Sequence, residues 1–182
     1  MEITMPWGNE DLRLNLPDTW TVIQPGNSGR EGLKKESGLS IVKRALSKPS
    51  GLKAISSMKL KGKKIVIVVD DNTRPTPVHT FMHLVLQDIA MAGGSLKNTI
   101  LIPALGIHTP MSAEEMADKV GDRNVKKLRW ENHNAFDNAK NHFFGTTSRG
   151  TPVFLNAHLR DADLVVLIGL IEPHLWAGFG GG

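Results

Sequence analysis

Three short polar segments carry residues able to do acid–base or ion-binding chemistry: Asp71-Asn72-Thr73-Arg74-Pro75, Ile107-His108-Thr109-Pro110 and Glu172-Pro173-His174. The last runs on to a glycine cluster, Gly178 with Gly180, Gly181 and Gly182. Arg74 offers a planar fork of donors that matches a carboxylate. Asp71 can orient that arginine or accept from a hydroxyl. His108 and His174 can each give or take a proton near neutral pH. Two imidazoles brought to one point from two strands suit an enzyme that works on both faces of a stereocentre. The glycines let backbone N–H groups come close to a phosphate.

These segments need elements that deliver them to one place. Each follows an apolar, β-branched run: KKIVIVVDD from Lys63, NTILIPALG from Asn98, and DLVVLIGLI from Asp163. Such runs mark parallel strands buried on both faces. Between them VHTFMHLVLQDIAMAG reads as a helix that stops at Gly93. SAEEMADKVGDRNVKKL reads as another, opened by a Ser112/Glu115 capping box. Strand, helix, strand, helix and strand predict an α/β fold with a doubly wound, mostly parallel, Rossmann-like sheet. In such a sheet ligands bind outside the carboxyl ends of the strands, which is where all three polar segments fall. The last apolar run is expected to be a third central strand.

Simpler roles exist for the same residues. Asp71 to Thr73 would serve as ordinary caps for a helix starting near Pro75 or Pro77. A lone histidine after a strand is commonly a hydrogen-bonded loop residue, and Glu172 would pair with a lysine. What favours chemistry is the coincidence of three clusters on one edge, which capping does not require. His79 and His83 lie one helical turn apart but lack a third ligand, so no metal site is expected and they are read as solvated.

The remaining segments are a supporting cast. EITMPWG and DLRLNLPDTWTVIQP read as a β-rich lead-in that turns at Gly8-Asn9, and GNSGREGLKKESG as a loop. LSIVKRALSKP and SGLKAISSMKL read as helices parted by Pro49. LRWENHN reads as a strand, HFFGTT with GTPVFLN as a strand pair, and AHLRDA as a short helix. The 182 residues are 40% apolar and 22% charged, enough for one α/β domain with a core. There is no cysteine, which excludes disulfides and thiolate chemistry and fits a reducing compartment. With no signal-peptide pattern and no apolar run near the ~20 residues of a membrane span, a soluble cytoplasmic protein is expected. The net charge of +4 suits an anionic small ligand; nucleic acid is not expected, because no recognition motif accompanies the charge.

Taken in order and at their separations, DNTRPTP, GIHTP and LIEPHLWAGFGGG resemble the N-terminal domain of the nickel-dependent lactate racemase family. The likeness runs over roughly Ile65 to Gly182. That family's pattern is D-x-T-R-P, then G-x-H-R-P, then E-x-H-x-x-A-G-F-x-G-G before Arg-Lys; Thr109 stands here where arginine is usual. The resemblance implies a nickel pincer nucleotide that takes a hydride from C2 of a 2-hydroxy acid and returns it to either face. It implies His108 and His174 as the acid–base pair, Asp71 and Arg74 as substrate-binding, and Thr73, Gly178, Gly180, Gly181 and Gly182 as cofactor-binding. The cofactor-bearing lysine, the nickel-ligand histidine and a C-terminal domain are expected outside this chain. Residues 1–182 would then be the N-terminal catalytic domain of a racemase or epimerase, inactive alone. Its implied partners are the hydroxy acid, the C-terminal domain and cofactor-maturation proteins. The alternative is a non-catalytic domain that binds an anionic ligand at the same edge.

Overall fold

A computed structural model describes residues 1–8, 10–22, 37–174 and 178–180. The expected loop over 26–38 falls almost wholly outside them, as do Gly181 and Gly182. The chain divides into two compact units, Met1–Glu36 and Ser37–Gly182. The described part of the first is the antiparallel hairpin β1 (Glu2–Trp7) and β2 (Glu10–Asn15), which pairs Glu2 with Asn15 and Trp7 with Glu10. The terminal ammonium donates to the Leu16 carbonyl at 2.9 Å and to Asp18 at 2.6 Å.

The second unit is mixed α/β. It begins with α1 (Gly38–Ser47), capped by the Ser37 hydroxyl, which accepts from the Ser40 amide. Next come β3 (Ile65–Val69), α2 (Val78–Met91), β4 (Thr99–Pro103), α3 (Ala113–Val120), α4 (Asp122–Val125) and β5 (Arg129–Trp130). β6 (Asn141–Thr146) and β7 (Pro152–Asn156) form an antiparallel hairpin whose register shifts between Phe143 and Gly145. β8 (Leu164–Ile168), β9 (Glu172–His174) and β10 (Gly178–Gly180) complete it. The sheet has the order β5-β4-β3-β8, with all three pairings parallel.

Burial follows from that order. β4 is buried throughout and β3 nearly so, as fully covered parallel strands should be. On one face Ile65, Ile67, Val69 and Leu101 meet α2, whose Val78, Met82, Val85 and Ile89 recur at helical spacing, and the Met116 and Val120 of α3. Each such buried side chain contributes about 1.5–3 kcal/mol relative to exposure. The other face carries a smaller cluster of Val66, Ile100 and Ile102 under Val68, Leu159 and Ala162. A polar network joins the β6–β7 hairpin to the sheet. Glu131, whose amide continues the β4–β5 pairing onto the Leu101 carbonyl, ion-pairs with Lys140 at 3.1 Å and lies 3.5 Å from His158 Nε2, and Asn156 Nδ2 lies 3.3 Å from His133 Nδ1.

Three expectations change, and one of the simpler roles falls away. β8 is not central: among the described residues it pairs only with β3, and its residues alternate between half-buried and exposed, with Val165 and Leu167 facing out. SGLKAISSMKL forms only a 3-10 turn, Ile55–Ser57, because Ile55 and Met58 reach the core within that single turn. The helix expected over 112–128 is broken at Gly121, whose φ of +93° ends α3 and starts α4. Asp71 to Thr73 do not cap α2, whose N-cap is Pro77 with no side-chain bond. The Ser112–Glu115 capping box is present with both of its bonds. Among the described residues no helix is long and apolar enough to cross a membrane.

Candidate functional site

The carboxyl end of β3 delivers two consecutive aspartates. Successive residues of an extended chain point to opposite sides, and here the two carboxylates take different partners. Asp71 is almost fully buried, its side chain 4% exposed. Its Oδ1 accepts from the Thr73 amide at 2.9 Å and the Thr73 hydroxyl at 2.5 Å, and its Oδ2 lies 2.5 Å from His108 Nδ1. Burial pushes the Asp71 carboxyl up. The bonds from Thr73 and His108, with the His108 charge, outweigh it and hold the group below the usual carboxylate range.

His108 comes from the turn after β4. Gly106 takes a left-handed φ of +57°, and the His108 amide closes the turn onto the Leu105 carbonyl at 2.9 Å. Its side chain is half exposed. An ionised carboxylate can only accept, so Nδ1 carries the proton in the Asp71 pair. The neutral ring therefore has its lone pair on Nε2. A carboxylate that fixes the tautomer of an imidazole in this way makes the other nitrogen a proton acceptor.

Arg74 leaves the same loop and contacts Glu172 Oε1 through Nε at 3.2 Å, with both side chains partly exposed. Of the two roles open to Asp71 in the sequence, the hydroxyl partner is Thr73; the acidic partner of Arg74 is Glu172 instead. A cleft of ≈ 190 Å³ opens between the ends of β3 and β8, lined by Asp70, Asp71, Arg74, His108, Leu167 and Gly169 among others. The structure thus brings Asp71, Arg74 and His108 to one cleft, with Thr73 bonded to Asp71.

His174, Gly178 and Gly180 do not line that cleft. His174 is half-buried on β9, two residues after Glu172 and so on the same strand face. β9 pairs antiparallel with β10, matching His174 to Gly178 and Glu172 to Gly180. A Cβ on Gly180 would stand 3.5 Å from the His174 ring, while Gly178 holds φ at +75° with open space around it. His79 and His83 are exposed on α2, and among the described residues no three His, Asp or Glu side chains come together to hold a metal ion.

Two supporting residues escaped sequence reasoning. Lys119 is buried on α3, with its Nζ 2.7 Å from Asp70 Oδ1 and donating to the Arg74 carbonyl at 2.8 Å. The Asp70 contact is at ion-pair distance without hydrogen-bond alignment, since Oδ1 has no hydrogen-bond partner. The Thr76 hydroxyl donates to Asp70 Oδ2. Glu115, one turn before Lys119, accepts from Asn72 Nδ2 at 2.7 Å. The available signal was a lysine between Met116 and Val120, both core positions of the same helix.

The sequence pattern of the lactate racemase N-terminal domain matches residues 7–182. A lactate racemase of Thermoanaerobacterium thermosaccharolyticum is 33% identical over 99% of this chain and 42% of its own length. One from Lactiplantibacillus plantarum is 30% identical over 78% of this chain and 33% of its own length. The chain therefore spans about two-fifths or less of the curated relatives it matches. The lactate racemase apoprotein structure from T. thermosaccharolyticum superposes with a TM-score of 0.80 at 32% identity, over 100% of this chain and 42% of that one. A Thermotoga maritima protein superposes at 0.57 with 26% identity, over 80% of this chain and 34% of that one. With the motif-bearing loops and the parallel sheet already in view, a match over nearly the whole chain settles the lineage: this chain belongs to the lactate racemase N-terminal domain family.

Proposed function

We propose that residues 1–182 are the N-terminal catalytic part of a cytoplasmic 2-hydroxy acid racemase or epimerase, with lactate as the first substrate to test. The observation that carries this reading is the Asp71–His108 pair opening, beside Arg74, onto one cleft. In the proposed reaction Arg74 holds the substrate carboxylate through its planar fork, a contact that also sets the angle of C2. His108 Nε2 takes the hydroxyl proton, and Asp71 keeps Nδ1–H pointing away from the reacting atoms. His174 performs the same transfer for the opposite enantiomer, which requires the substrate or the β9–β10 hairpin to bring it to the cleft.

The C2 hydrogen needs a hydride acceptor, which a nickel pincer nucleotide supplies when bound. The residues here suit the flat and anionic parts of such a group. Gly180 leaves a gap beside the His174 ring that a Cβ would fill, and Gly178 leaves its surroundings open. Gly181, Gly182 and Thr73 are the proposed neighbours of its phosphate. The family resemblance assigns the nickel-ligand histidine and the cofactor-bearing lysine to the remainder of a family-length protein. That C-terminal domain and cofactor-maturation proteins are the proposed partners, and the isolated chain is expected to be inactive.

The test is a family-length protein carrying this segment, loaded with cofactor and offered D- and L-lactate and a panel of longer 2-hydroxy acids. Interconversion that Arg74→Ala and His108→Ala abolish supports the reading. Absence of interconversion across the panel by a demonstrably loaded protein refutes it.

A further inference from the structure

We infer that Lys119 and Asp70 form a positioning device, which sets Arg74 from behind the cleft, so that α3 acts as the template for the substrate loop. The inference deepens the proposed function, since it gives Arg74 its job on the strength of that reading.

The geometry starts from a buried charge. The Lys119 side chain is 5% exposed and the Asp70 side chain 15%. Taking two charges out of water is costly, and a buried pair is weak evidence of net stabilisation. A methionine at 119 and an asparagine at 70 would fill the same space without that cost. What they would not supply is an ammonium with three donors, which spans two groups at once. Lys119 Nζ reaches the Asp70 carboxylate at 2.7 Å and the Arg74 main-chain carbonyl at 2.8 Å. Those residues are the first and fifth of the segment Asp70–Arg74 that crosses the mouth of β3.

The other contacts of the segment show why this point matters. Asp70 is fixed to β8 through its amide, 3.1 Å from the Ile168 carbonyl, and to Thr76 through its second oxygen. Asp71 binds Thr73, and the Arg74 amide donates to the Asp71 carbonyl at 3.2 Å. Asn72 is held by Glu115. The Arg74 carbonyl is the last group of the turn, and Lys119 is the side chain that ties it down. Glu115 and Lys119 lie four residues apart, on one face of α3, and the capping box fixes Glu115 in turn. Two consecutive aspartates thus divide the work. Both border the cleft, but Asp71 orients His108 while Asp70 pairs with Lys119 on α3.

The test separates positioning from stability. The double variant Asp70→Asn/Lys119→Met buries no unpaired charge. In the isotopically labelled 182-residue chain, the Arg74 Nε–H resonance, assigned by its loss in Arg74→Lys, reports the contact with Glu172. With the spectrum elsewhere unchanged, that resonance should shift toward free arginine and exchange with water ~10-fold faster, the order expected when an ordered contact is released. In the loaded family-length protein, lactate KM should rise ~10-fold with kcat within ~3-fold, as for loss of uniform binding. A second route uses the absence of cysteine. Lys119→Cys, alkylated while unfolded and refolded, carries an aminoethyl or a propyl group of equal length. The aminoethyl adduct should restore the Arg74 resonance and the propyl adduct should not.

A folded double variant with an unchanged Arg74 resonance overturns the inference, and so does an aminoethyl adduct that behaves like the propyl one. If Arg74→Ala leaves lactate KM unmoved, the role of Arg74 in the proposed function fails instead. The resonance experiment still decides whether Lys119 positions that side chain.

Discussion

Replacing Asp71 with asparagine tests the acid–base assignment at its root, because the substitution changes charge and donor pattern while keeping shape. Oδ1 of Asp71 receives two Thr73 donors, so the amide oxygen of the introduced side chain must take that side. Its NH2 group then occupies the place of Oδ2, 2.5 Å from His108 Nδ1, and an NH2 can only donate. Nδ1 must become the acceptor and the ring proton moves to Nε2, the nitrogen that should take the substrate proton. A base locked in the wrong tautomer loses ~10³-fold in kcat, or about 4 kcal/mol of barrier. Stability should change less, since the Thr73 bonds survive and a neutral hydrogen bond replaces the charged one; the difference between the two kinds is about 1–1.5 kcal/mol. The pH dependence carries its own sign. The folded Asp71 carboxyl lies below the ordinary value of 3.8, so its stabilisation is complete above that value and disappears as pH falls through the folded one. Asp71→Asn should remove this part of the acid-unfolding limb. Nitrogen-detected tautomer spectra of His108 in this chain and racemisation rates in the family-length protein are the two assays. Persistence of Nδ1–H in the variant, or a rate within ~3-fold of wild type, would refute the reasoning.

Two further outcomes concern the scaffold. Burial lowers the His133 pKa from 6.5, so the unfolded chain binds the extra proton and stability falls as pH drops below that value. His133→Gln, which keeps an acceptor for Asn156, should flatten the slope of urea midpoints between pH 7 and 5.5; equal slopes would remove the cause assigned. Gly94→Ala would place a Cβ 2.6 Å from Ile89 Cγ2 and 2.9 Å from the Ile89 carbonyl, which is backbone and cannot swing away. Overpacking of about 1–3 kcal/mol should exceed the ~0.4–1 kcal/mol gained from the stiffer unfolded chain, and an unchanged or raised Tm would contradict that.

The strands and the site loops were legible because their signals are local. A β-branched run announces β3 and β4, and a proline or glycine just beyond announces the loop. Residue type and place after a strand singled out Asp71, Arg74, His108 and His174, and the family resemblance then implied their roles. What sequence could not supply was the partner across space. Asp71 pairs with His108 over 37 residues and Lys119 reaches the Arg74 carbonyl over 45, distances at which periodicity carries no information. The misreading of β8 has the same origin. LVVLI is apolar at every position, so it looks covered on both faces, but only neighbours decide that, and among the described residues β8 has one. Ile55 and Met58, three apart, satisfy a helical pattern without needing a helix, so the pattern predicts more helix than the single turn Ile55–Ser57.

That edge position has a consequence for handling the protein. Among the described residues the outer side of β8 has no strand beside it. Leu164–Ile168 contains no charge, proline or bulge, the devices by which open strands discourage stacking onto a neighbour. With Val165 and Leu167 exposed, two copies of this chain present matching sticky ribbons. A lysine at position 165, which lies outside the cleft lining, is the natural remedy for anyone who wishes to concentrate the chain.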